Sequence, residues 1–331
     1  MRALNIADVA AAAGVSKTTV SHVLSGKRPV SDATRRNVER VVKDLGYRPS
    51  FFAQALNSKR SRTIALLAQD ITNPFYPAVA RGIQKSVASS GQAVMLFDAG
   101  AGRSLTRSFI DDVIQRQIDG VVVAVSDMGD GLAALVHAGI AVVAVGSRVA
   151  QPSIDWVSAD DSLIEADAVR YLHQAGHRRI AIINGPKGLE PGASRSAGYD
   201  LAVEELGLAA GPSLREYGDW TRESGASALT RLLAVEGRPT AVVCANDLMA
   251  IGALGAAREA GLAVPGDLAI IGVDDIDAAA LVSPALTTIR IPAEEIGRSA
   301  GDLLQQRINE GVGGPARHVL VQHTLIRRQS A

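Results

Sequence analysis

The stretch "IADVAAAAGVSKTTVSHVLSG", residues 6–26, has the pattern of two short helices joined by a tight turn. Asn5 is placed to cap the first helix, whose apolar residues recur at helical spacing. Gly14 ends that helix, because glycine adopts a left-handed backbone at low cost. Ser16 can then cap a second helix over 17–24. The small alanines allow close crossing, as in a helix-turn-helix unit.

A third helix is predicted directly afterwards. Ser31 can cap it, Gly46 can stop it, and its apolar stripe consists of Val38, Val41, Val42 and Leu45. Three short helices without a strand predict a small all-α domain over residues 1–47, which we call the head.

One outward patch of the second helix is not needed for the core of the head. Its members lie at the N-terminal end of that helix, where a recognition helix meets base edges in the major groove: Lys17, Thr18, Ser21 and His22. Tyr47, directly after the third helix, is placed with them among the expected DNA contacts. Helix pairs with a glycine corner also occur in proteins that never bind DNA.

The distribution of charge favours the DNA-binding interpretation. The 331 residues carry no net charge, but residues 1–62 contain twelve Lys/Arg and four Asp/Glu, a net charge of +8. The remaining residues contain 22 Lys/Arg and 30 Asp/Glu, a net charge of −8. A basic segment at residues 1–62 on an acidic body indicates a polyanionic partner for that segment. A solvated charged face would give the same count, so the choice between these two interpretations rests on the helical pattern.

The longer stretch "IADVAAAAGVSKTTVSHVLSGKRPVSDATRRNVERVVKDLGYRPSFFAQAL" resembles the DNA-binding head of the lactose/galactose repressor family of bacterial transcription regulators. The resemblance extends over essentially the whole chain. It implies a hinge helix and linker in residues 48–62, which pairs with its dimer mate in the DNA minor groove. It places an apolar wedge at Leu56 and the helix contact at Ala53. A buried linker leucine is the alternative for Leu56.

The body of the chain is predicted to consist of repeated βα units. Short apolar runs at 63–69, 93–98, 120–125 and 141–146 form one series, and runs at 178–184, 240–245 and 268–273 form a second. Such runs between amphipathic helices predict parallel sheets covered on both faces.

Two series predict two lobes, and the resemblance implies a two-lobed periplasmic-binding-protein-like α/β core. It also implies three crossings between the lobes. We therefore expect lobe 1 at about 63–160 and 291–320, and lobe 2 at about 161–290 and 321–331.

Ligands of open α/β sheets bind beyond the carboxyl ends of the strands, so the residues that follow each strand are candidate effector contacts. From the first series these are Asn73, Phe75, Asp98 and Ser126, with Asn73 expected to cap a helix that begins at Pro74. From the second series they are Arg195, Trp220, Asn246 and Asp274. The resemblance implies that the second set holds the effector, with Trp220 stacking on it, and that Asn73 and Phe75 contribute from lobe 1.

This chemistry suits a small polyol, since carboxylate, amide and guanidinium groups bind hydroxyls and an indole covers a sugar face. Several residues also have purely structural alternatives. Asn246 and Asp247 can cap a helix, Asp274 and Asp275 can be turn residues, and Trp220 can be core.

The sequence departs from the family pattern near this expected site. Asp161 and Glu165 stand where Asn and Gly are frequent, Ser147 stands where Asp is common before Arg148, and Ala193 replaces a frequent arginine. The small number of positive groups argues against a strongly anionic effector.

Other classes of protein are disfavoured. We find no apolar span of membrane length, no signal-peptide core, and a single cysteine, Cys244, which fits a reducing cytoplasm. No dinucleotide, P-loop or nucleophile-elbow motif is present, so we expect no enzyme and no cofactor. His173 and His177 have a metal-compatible spacing, but Gly176 interrupts the helix between them and no third ligand is evident. We expect no metal.

The sequence therefore predicts a ligand-responsive transcription regulator, a repressor of carbohydrate or related catabolic genes. It would bind a palindromic operator as a homodimer, with a sugar-like effector between the lobes. The C-terminal "HTLIRRQSA" has no leucine heptads, which argues against a tetramer. The alternatives are a solute-binding protein for transport, and a constitutive DNA-binding protein without an effector.

Overall fold

The computed structural model describes residues 4–26, 28–48, 60–100, 104–146, 153–209 and 211–331. The chain divides into two compact units, Met1–Ser61 and Arg62–Ala331. We describe each unit by itself.

The head contains the three helices that the sequence predicts. They are α1 (Ile6–Ala13), α2 (Lys17–Ser25) and α3 (Asp32–Leu45), with α2 one residue longer than expected. The Asn5 side chain accepts hydrogen bonds from the backbone of Ala7 and Asp8, and the Asp8 carboxylate accepts one in return from the Asn5 backbone N–H. This capping box fixes the start of the first helix.

The core of the head is formed by one apolar face from each helix. Val9, Val20 and Val38 are fully buried. The Asn37 amide donates to the Ala13 carbonyl at 2.8 Å, which ties the third helix to the end of the first. Because the core takes these faces, the opposite face of α2 remains available for another function.

The first sheet of the larger unit is parallel and has the strand order β11-β5-β4-β3-β1-β2. Its strands are β1 (Thr63–Ala68), β2 (Ala93–Asp98), β3 (Gly120–Ala124), β4 (Ala141–Val145), β5 (Asp155–Ser158) and β11 (His318–Leu320). The helices of this lobe are α4 (Phe75–Val87), α5 (Arg107–Gln115), α6 (Gly131–His137) and α12 (Ala293–Glu310). Strands β1, β3 and β4 are buried almost throughout, as expected for a sheet covered on both faces.

The second sheet has the order β12-β10-β9-β8-β6-β7. Its strands are β6 (Ile180–Asn184), β7 (Arg215–Tyr217), β8 (Ala241–Cys244), β9 (Ala269–Asp274), β10 (Thr287–Arg290) and β12 (Thr324–Ile326). The helices are α7 (Asp161–Gln174), α8 (Gly192–Glu205), α9 (Arg222–Leu233), α10 (Asp247–Glu259) and α11 (Asp277–Leu281). The chain passes between the two sheets three times, after Ser158, Arg290 and Leu320.

Three details differ from the sequence predictions. The second sheet is not wholly parallel, because β12 runs antiparallel to β10. The five strands β5, β7, β10, β11 and β12 were not among the predicted runs; each has only three or four residues, too few for an apolar pattern to emerge. Helix α4 begins at Phe75 rather than Pro74, and the Asn73 side chain accepts from the Phe75 N–H at 3.0 Å.

Candidate functional site

A cavity lies where the carboxyl ends of the strands of both sheets face each other. It is lined by residues that follow strands or begin helices in each lobe. Seven of the eight predicted effector residues line it, namely Asn73, Phe75, Ser126, Arg195, Trp220, Asn246 and Asp274. The two sheets thus bring together residues that lie about two hundred positions apart in sequence.

Asp98 is the predicted residue that the structure does not bring to this cavity. It ends β2, the outermost strand of the first sheet, and its carboxylate accepts from the Gly100 N–H at 3.0 Å. An edge strand is displaced sideways from the crevice between the lobes. A residue that follows such a strand therefore does not reach the cavity. The placement of Asp98 in the effector site is therefore not supported by the geometry.

Arg195, on α8, is only 4% exposed and is held by two neighbours. Its Nε and Nη2 donate to the Asp161 carboxylate at 2.9 and 2.8 Å, and its Nη1 donates to the Ala245 carbonyl. Asp161 begins α7, which packs closely on α8. The helices approach so closely at Gly198 that a Cβ there would overlap the backbone of Ser162. The close helix packing thus places a carboxylate directly against the guanidinium.

Asn246 has the structural role that the sequence left open as an alternative. Its side-chain oxygen accepts from the Met249 N–H at 2.9 Å and caps α10, while its Nδ2 donates to the Trp220 carbonyl at 3.0 Å. Asn246 therefore holds the cavity wall in place and also lines it. Its neighbour Asp247 is buried inside the lobe, where it accepts from Thr288 and from the Ile276 N–H.

Two residues of the second lobe have an unusual backbone conformation at the cavity. Trp220 has φ of 73° and Asp274 has φ of 115°, values that side chains rarely adopt. Such conformations cost about 1–3 kcal/mol each and tend to occur at binding sites. The Trp220 ring packs against Gly185, where any Cβ would overlap it, and the Trp220 Nε1 is buried without a hydrogen-bond partner.

Among the described residues, the wall from the first lobe is uncharged apart from Asp70. Phe75 and Tyr76 meet edge to face, with ring centroids 5.5 Å apart. The Ser126 hydroxyl bonds the side-chain oxygen of Gln69, which directly follows β1. This wall offers aromatic surface and neutral polar groups.

The wall from the second lobe contains several acids with perturbed ionisation. Burial raises the pKa of Asp274 to about 7, although the charge of Arg195 opposes this shift. Burial also raises the pKa of Glu165 to about 7 and raises the pKa of Asp161, again against the charge of Arg195. Glu165 is fully buried one helical turn after Asp161, and neither of its carboxyl oxygens has a hydrogen-bond partner.

Several cavity residues were not predicted from the sequence as binding residues. They include Gln69, Asp70, Tyr76, Glu190, Asp219 and Ile296. Asp70 follows the first predicted run and could have been found by applying the same rule to every position after a strand, whereas Gln69 lay inside that run and Asp219 follows β7, which was not predicted. Glu190 lies in the loop between β6 and α8, and Ile296 lies on α12; the sequence gives no local signal for either.

In the head, the structure places the predicted DNA-contacting residues of α2 on its surface. Lys17 and Thr18 are exposed, and Ser21 and His22 are half-buried. Tyr47 is half-buried and packs against the core of the head, so it also has a structural role. Ala53 and Leu56 lie outside the described residues.

The described ranges contain neither a metal-binding cluster nor a membrane-spanning helix. Within them, no group of three or more His, Cys, Asp and Glu residues is arranged to hold a metal ion. His177 bonds Thr240 at 3.0 Å, and Cys244 is buried. Of the helices in the described parts of the chain, none is long and apolar enough to cross a membrane.

A helix-turn-helix head joined to a two-lobed α/β core with a cavity between the lobes defines a class, the ligand-responsive DNA-binding regulators. Comparisons with known proteins agree with this class. The profile "Bacterial regulatory proteins, lacI family" matches residues 5–50, and the profile "Periplasmic binding protein-like domain" matches residues 169–331.

Individual relatives match nearly the full chain. It is 36% identical over 317 residues to the HTH-type transcriptional repressor CytR of Escherichia coli (strain K12), covering 95% of this chain and 93% of the relative. The lac repressor dimer bound to operator and the anti-inducer ONPF matches with a TM-score of 0.87 and 26% identity, covering 99% of each chain. The complex of the transcriptional regulator CelR with cellobiose matches with a TM-score of 0.76 and 30% identity, covering 99% of this chain and 100% of that one.

The chain therefore belongs to the lacI family of bacterial transcription regulators. It is a DNA-binding regulator and not an enzyme, and the alternative of a solute-binding protein for transport is set aside.

Proposed function

We propose that this protein represses carbohydrate or related catabolic genes in the cytoplasm, and that a sugar or sugar derivative bound between the lobes controls its affinity for DNA. The observation that carries the proposal is the cavity itself, where residues from both lobes converge on one space. A ligand that contacts both walls favours one angle between the lobes, and this differential binding is what an allosteric effector requires.

The DNA-binding half of the proposal assigns base contacts to the exposed patch of α2. Lys17 and His22 would donate to guanine, and the Thr18 methyl group would contact thymine. The net charge of +8 on residues 1–62 supplies the phosphate attraction. Tyr47, Ala53 and Leu56 complete the proposed DNA-contacting set, with the segment 48–62 as hinge and linker.

The effector half assigns binding to Asn73, Phe75, Ser126, Arg195, Trp220, Asn246 and Asp274. A carboxylate and amides bind hydroxyl groups, and Trp220 and Phe75 supply apolar faces that suit the C–H face of a sugar ring. The CelR complex with cellobiose provides a precedent in a structurally similar chain.

We further propose that the protein acts as a homodimer on an operator of two inverted half-sites, since a two-fold assembly matches a palindromic sequence. The lac repressor chain that this structure resembles was determined as a dimer on its operator. Two exposed apolar features of the larger unit are candidate dimer surfaces. They are Met95 and Leu96 on the edge strand β2, 37% and 39% exposed, and Leu281, 83% exposed.

Thermal unfolding against a panel of sugars, sugar acids, polyols and nucleosides tests the effector half. A ligand at a hundred times its Kd stabilises the state that binds it by about 2.7 kcal/mol, which should raise Tm by several degrees. Asp274→Ala should abolish the response because it removes a cavity carboxylate. Asp98→Ala is the matched control, since Asp98 lies outside the cavity and its loss should leave the response intact.

Operator affinity measured with and without the ligand completes the test. The operator is first selected from random duplex DNA by the purified full chain. A ligand that weakens binding is an inducer, and one that strengthens it is a corepressor, with an expected change of about 5–150-fold. Specific operator binding that no panel member alters would contradict the effector half and favour the constitutive alternative.

A further inference from the structure

The cavity contains an excess of acidic groups. Among the described residues that line it, five are acids and one is a cation, Arg195; the acids are Asp70, Asp161, Glu190, Asp219 and Asp274. Glu165 adds a sixth carboxyl group behind this wall, close enough for its charge to act on Arg195. Among the described lining residues, the single guanidinium does not balance the negative charge of these carboxyl groups once they ionise.

The donor groups of Arg195 are not available to bind an anion. Three of its donor groups are already used, two by Asp161 and one by the Ala245 carbonyl, and the whole residue is 4% exposed. A guanidinium that binds a ligand carboxylate or phosphate normally presents two parallel N–H donors to it. In this protein those donors point to Asp161 instead.

Hydrogen-bond acceptors remain unused on the same wall. Both donors from Arg195 go to Oδ1 of Asp161, and within the described part of the chain no group donates to its Oδ2 or to the Asp274 carboxylate. Glu165 also has two buried oxygens without a donor, but it lies behind the wall and does not line the cavity. A ligand that uses the free acceptors of Asp161 and Asp274 brings hydrogen-bond donors, and a positively charged donor would also compensate the negative charge of these two carboxylates.

We propose that the effector binds through a protonated nitrogen placed against Asp161 and Asp274, as in an amino sugar or another hydroxylated amine, and that acidic ligands are excluded. This inference rests on the proposed function, because it specifies the ligand class of the same cavity. Asp161 is the specificity-determining residue, since it both neutralises Arg195 and presents a free carboxylate oxygen.

The energetic reason is the strength of charge-assisted hydrogen bonds. An ammonium group between two carboxylates forms short N–H···O bonds that are about twice as strong as neutral ones. An acidic ligand would meet like charges and would leave its own charge without a partner, which is costly in a buried site. A neutral sugar satisfies the acceptors without compensating the charge, so it should bind with intermediate affinity.

Matched ligand sets on one carbon skeleton test the order of affinity. Glucosamine, glucose and glucuronate form one set, and the galacto and manno series provide two more. Each is titrated into the full chain, with the fluorescence of Trp220 in the cavity wall as the reporter. In the set whose skeleton fits, we expect the amino member to bind about tenfold or more tightly than the neutral member, and the acid not to bind.

Asp161→Asn should reduce the preference for the amino member over the neutral one by roughly tenfold, because it removes a carboxylate and keeps the shape. Asp160→Asn is the matched control. It removes one charge at the adjacent, exposed residue, which lies outside the cavity and whose helix-capping role asparagine can fulfil. Glu165→Gln, also isosteric, should reduce the preference in the same direction by a smaller factor.

Several results would overturn the proposal. They are tighter binding of a neutral or acidic member, failure of every amino member to bind, or equal effects of Asp160→Asn and Asp161→Asn. Tight binding of a neutral or acidic sugar that changes operator affinity would overturn this inference and leave the proposed function standing. An operator affinity that no ligand changes would instead contradict the proposed function.

Discussion

The DNA-binding surface of the head and the cavity between the two lobes are built in opposite ways. The recognition surface on α2 consists of side chains from one helix, with Lys17 and Thr18 exposed to solvent. The cavity is built from both lobes, and its charged residue Arg195 is held by internal bonds before any ligand arrives. A surface for DNA needs only a helix face and positive charge, whereas a site for a small molecule needs groups fixed by their neighbours.

This difference determines what a mutation should do. Substitution on the head surface should change DNA affinity and leave stability nearly unchanged, because the altered side chain does not support the fold. Substitution in the cavity should change both, because the same residues bind ligand and balance buried charge.

Arg195→Ala should be the most damaging substitution. It leaves Asp161, Glu165 and Asp274 without their shared cation, and removal of one partner of a buried ion pair costs about 3–5 kcal/mol. Urea unfolding followed by tryptophan fluorescence measures this loss, because both tryptophans, Trp156 and Trp220, lie in the larger unit.

Arg107→Ala is the control for that measurement. Arg107 pairs with Asp111 on the surface, with the two side chains 86% and 50% exposed, so its loss should cost less than about 1 kcal/mol. A comparable loss of stability in both variants would show that the cavity does not depend on Arg195 for charge balance.

Glu165→Gln should change how stability depends on pH. Burial holds the pKa of Glu165 at about 7, above its ordinary value of 4.5, so between these values the folded state keeps a proton that the unfolded state has released. Stability of the natural protein therefore falls as pH rises from 4.5 to 7, by about 1.4 kcal/mol per unit from this group, and the variant lacks that fall.

Relative to the natural protein, the variant should accordingly gain about 2–3 kcal/mol between pH 5 and pH 8. Parallel urea titrations at fixed protein concentration measure the difference at each pH. Glu259→Gln, at an exposed position of α10, should leave the pH dependence unchanged. Identical pH profiles for natural protein and Glu165→Gln would be evidence against a proton on this group.

Lys17→Ala should weaken operator binding by about 1–3 kcal/mol and relax base choice at particular positions. Arg60→Ala should instead weaken binding to all DNA sequences similarly. It should also reduce the slope of log K against log salt concentration by about one. Fluorescence anisotropy with the operator and its single-base variants, repeated over a salt series, separates the two effects. If neither variant altered base preference, the assigned reading face on α2 would be incorrect.

Asn5→Ala should have the smallest effect, a loss of about 1 kcal/mol confined to the head. The substitution removes the capping box at the start of α1, which should speed hydrogen exchange of the amides in that helix. Asn5→Asp keeps an acceptor at the cap and should preserve protection. Faster exchange in the larger unit would contradict the local nature of the effect.

The same contrast explains how much the sequence could predict. The starts of α1, α2 and α3 could be predicted because Asn5, Ser16 and Ser31 are N-capping residues followed by apolar residues at helical spacing. The long strands were found because β-branched runs stand out between amphipathic helices. These are local signals, and the head is built almost entirely from them.

The cavity depends on contacts that no local pattern contains. The sequence marked Asp161 and Glu165 as departures from the family pattern, but it could not show that Asp161 binds Arg195 or that Glu165 is buried without a partner. The contact between Asp161 and Arg195 accompanies a close approach of α7 and α8, where Gly198 meets the backbone of Ser162. Asp98 does not line the cavity for a related reason, because the position of a strand within its sheet depends on the topology, which no local pattern reveals.

The three passages of the chain between the sheets have a consequence for how the protein is made. The first sheet is completed by β11 and the second by β12, which ends at Ile326 in a chain of 331 residues. During synthesis neither sheet can be completed until β11 and β12 have left the ribosome, whereas the last helix of the head is complete once Leu45 has emerged. A nascent chain can therefore carry a folded basic head long before it has a cavity with which to regulate it.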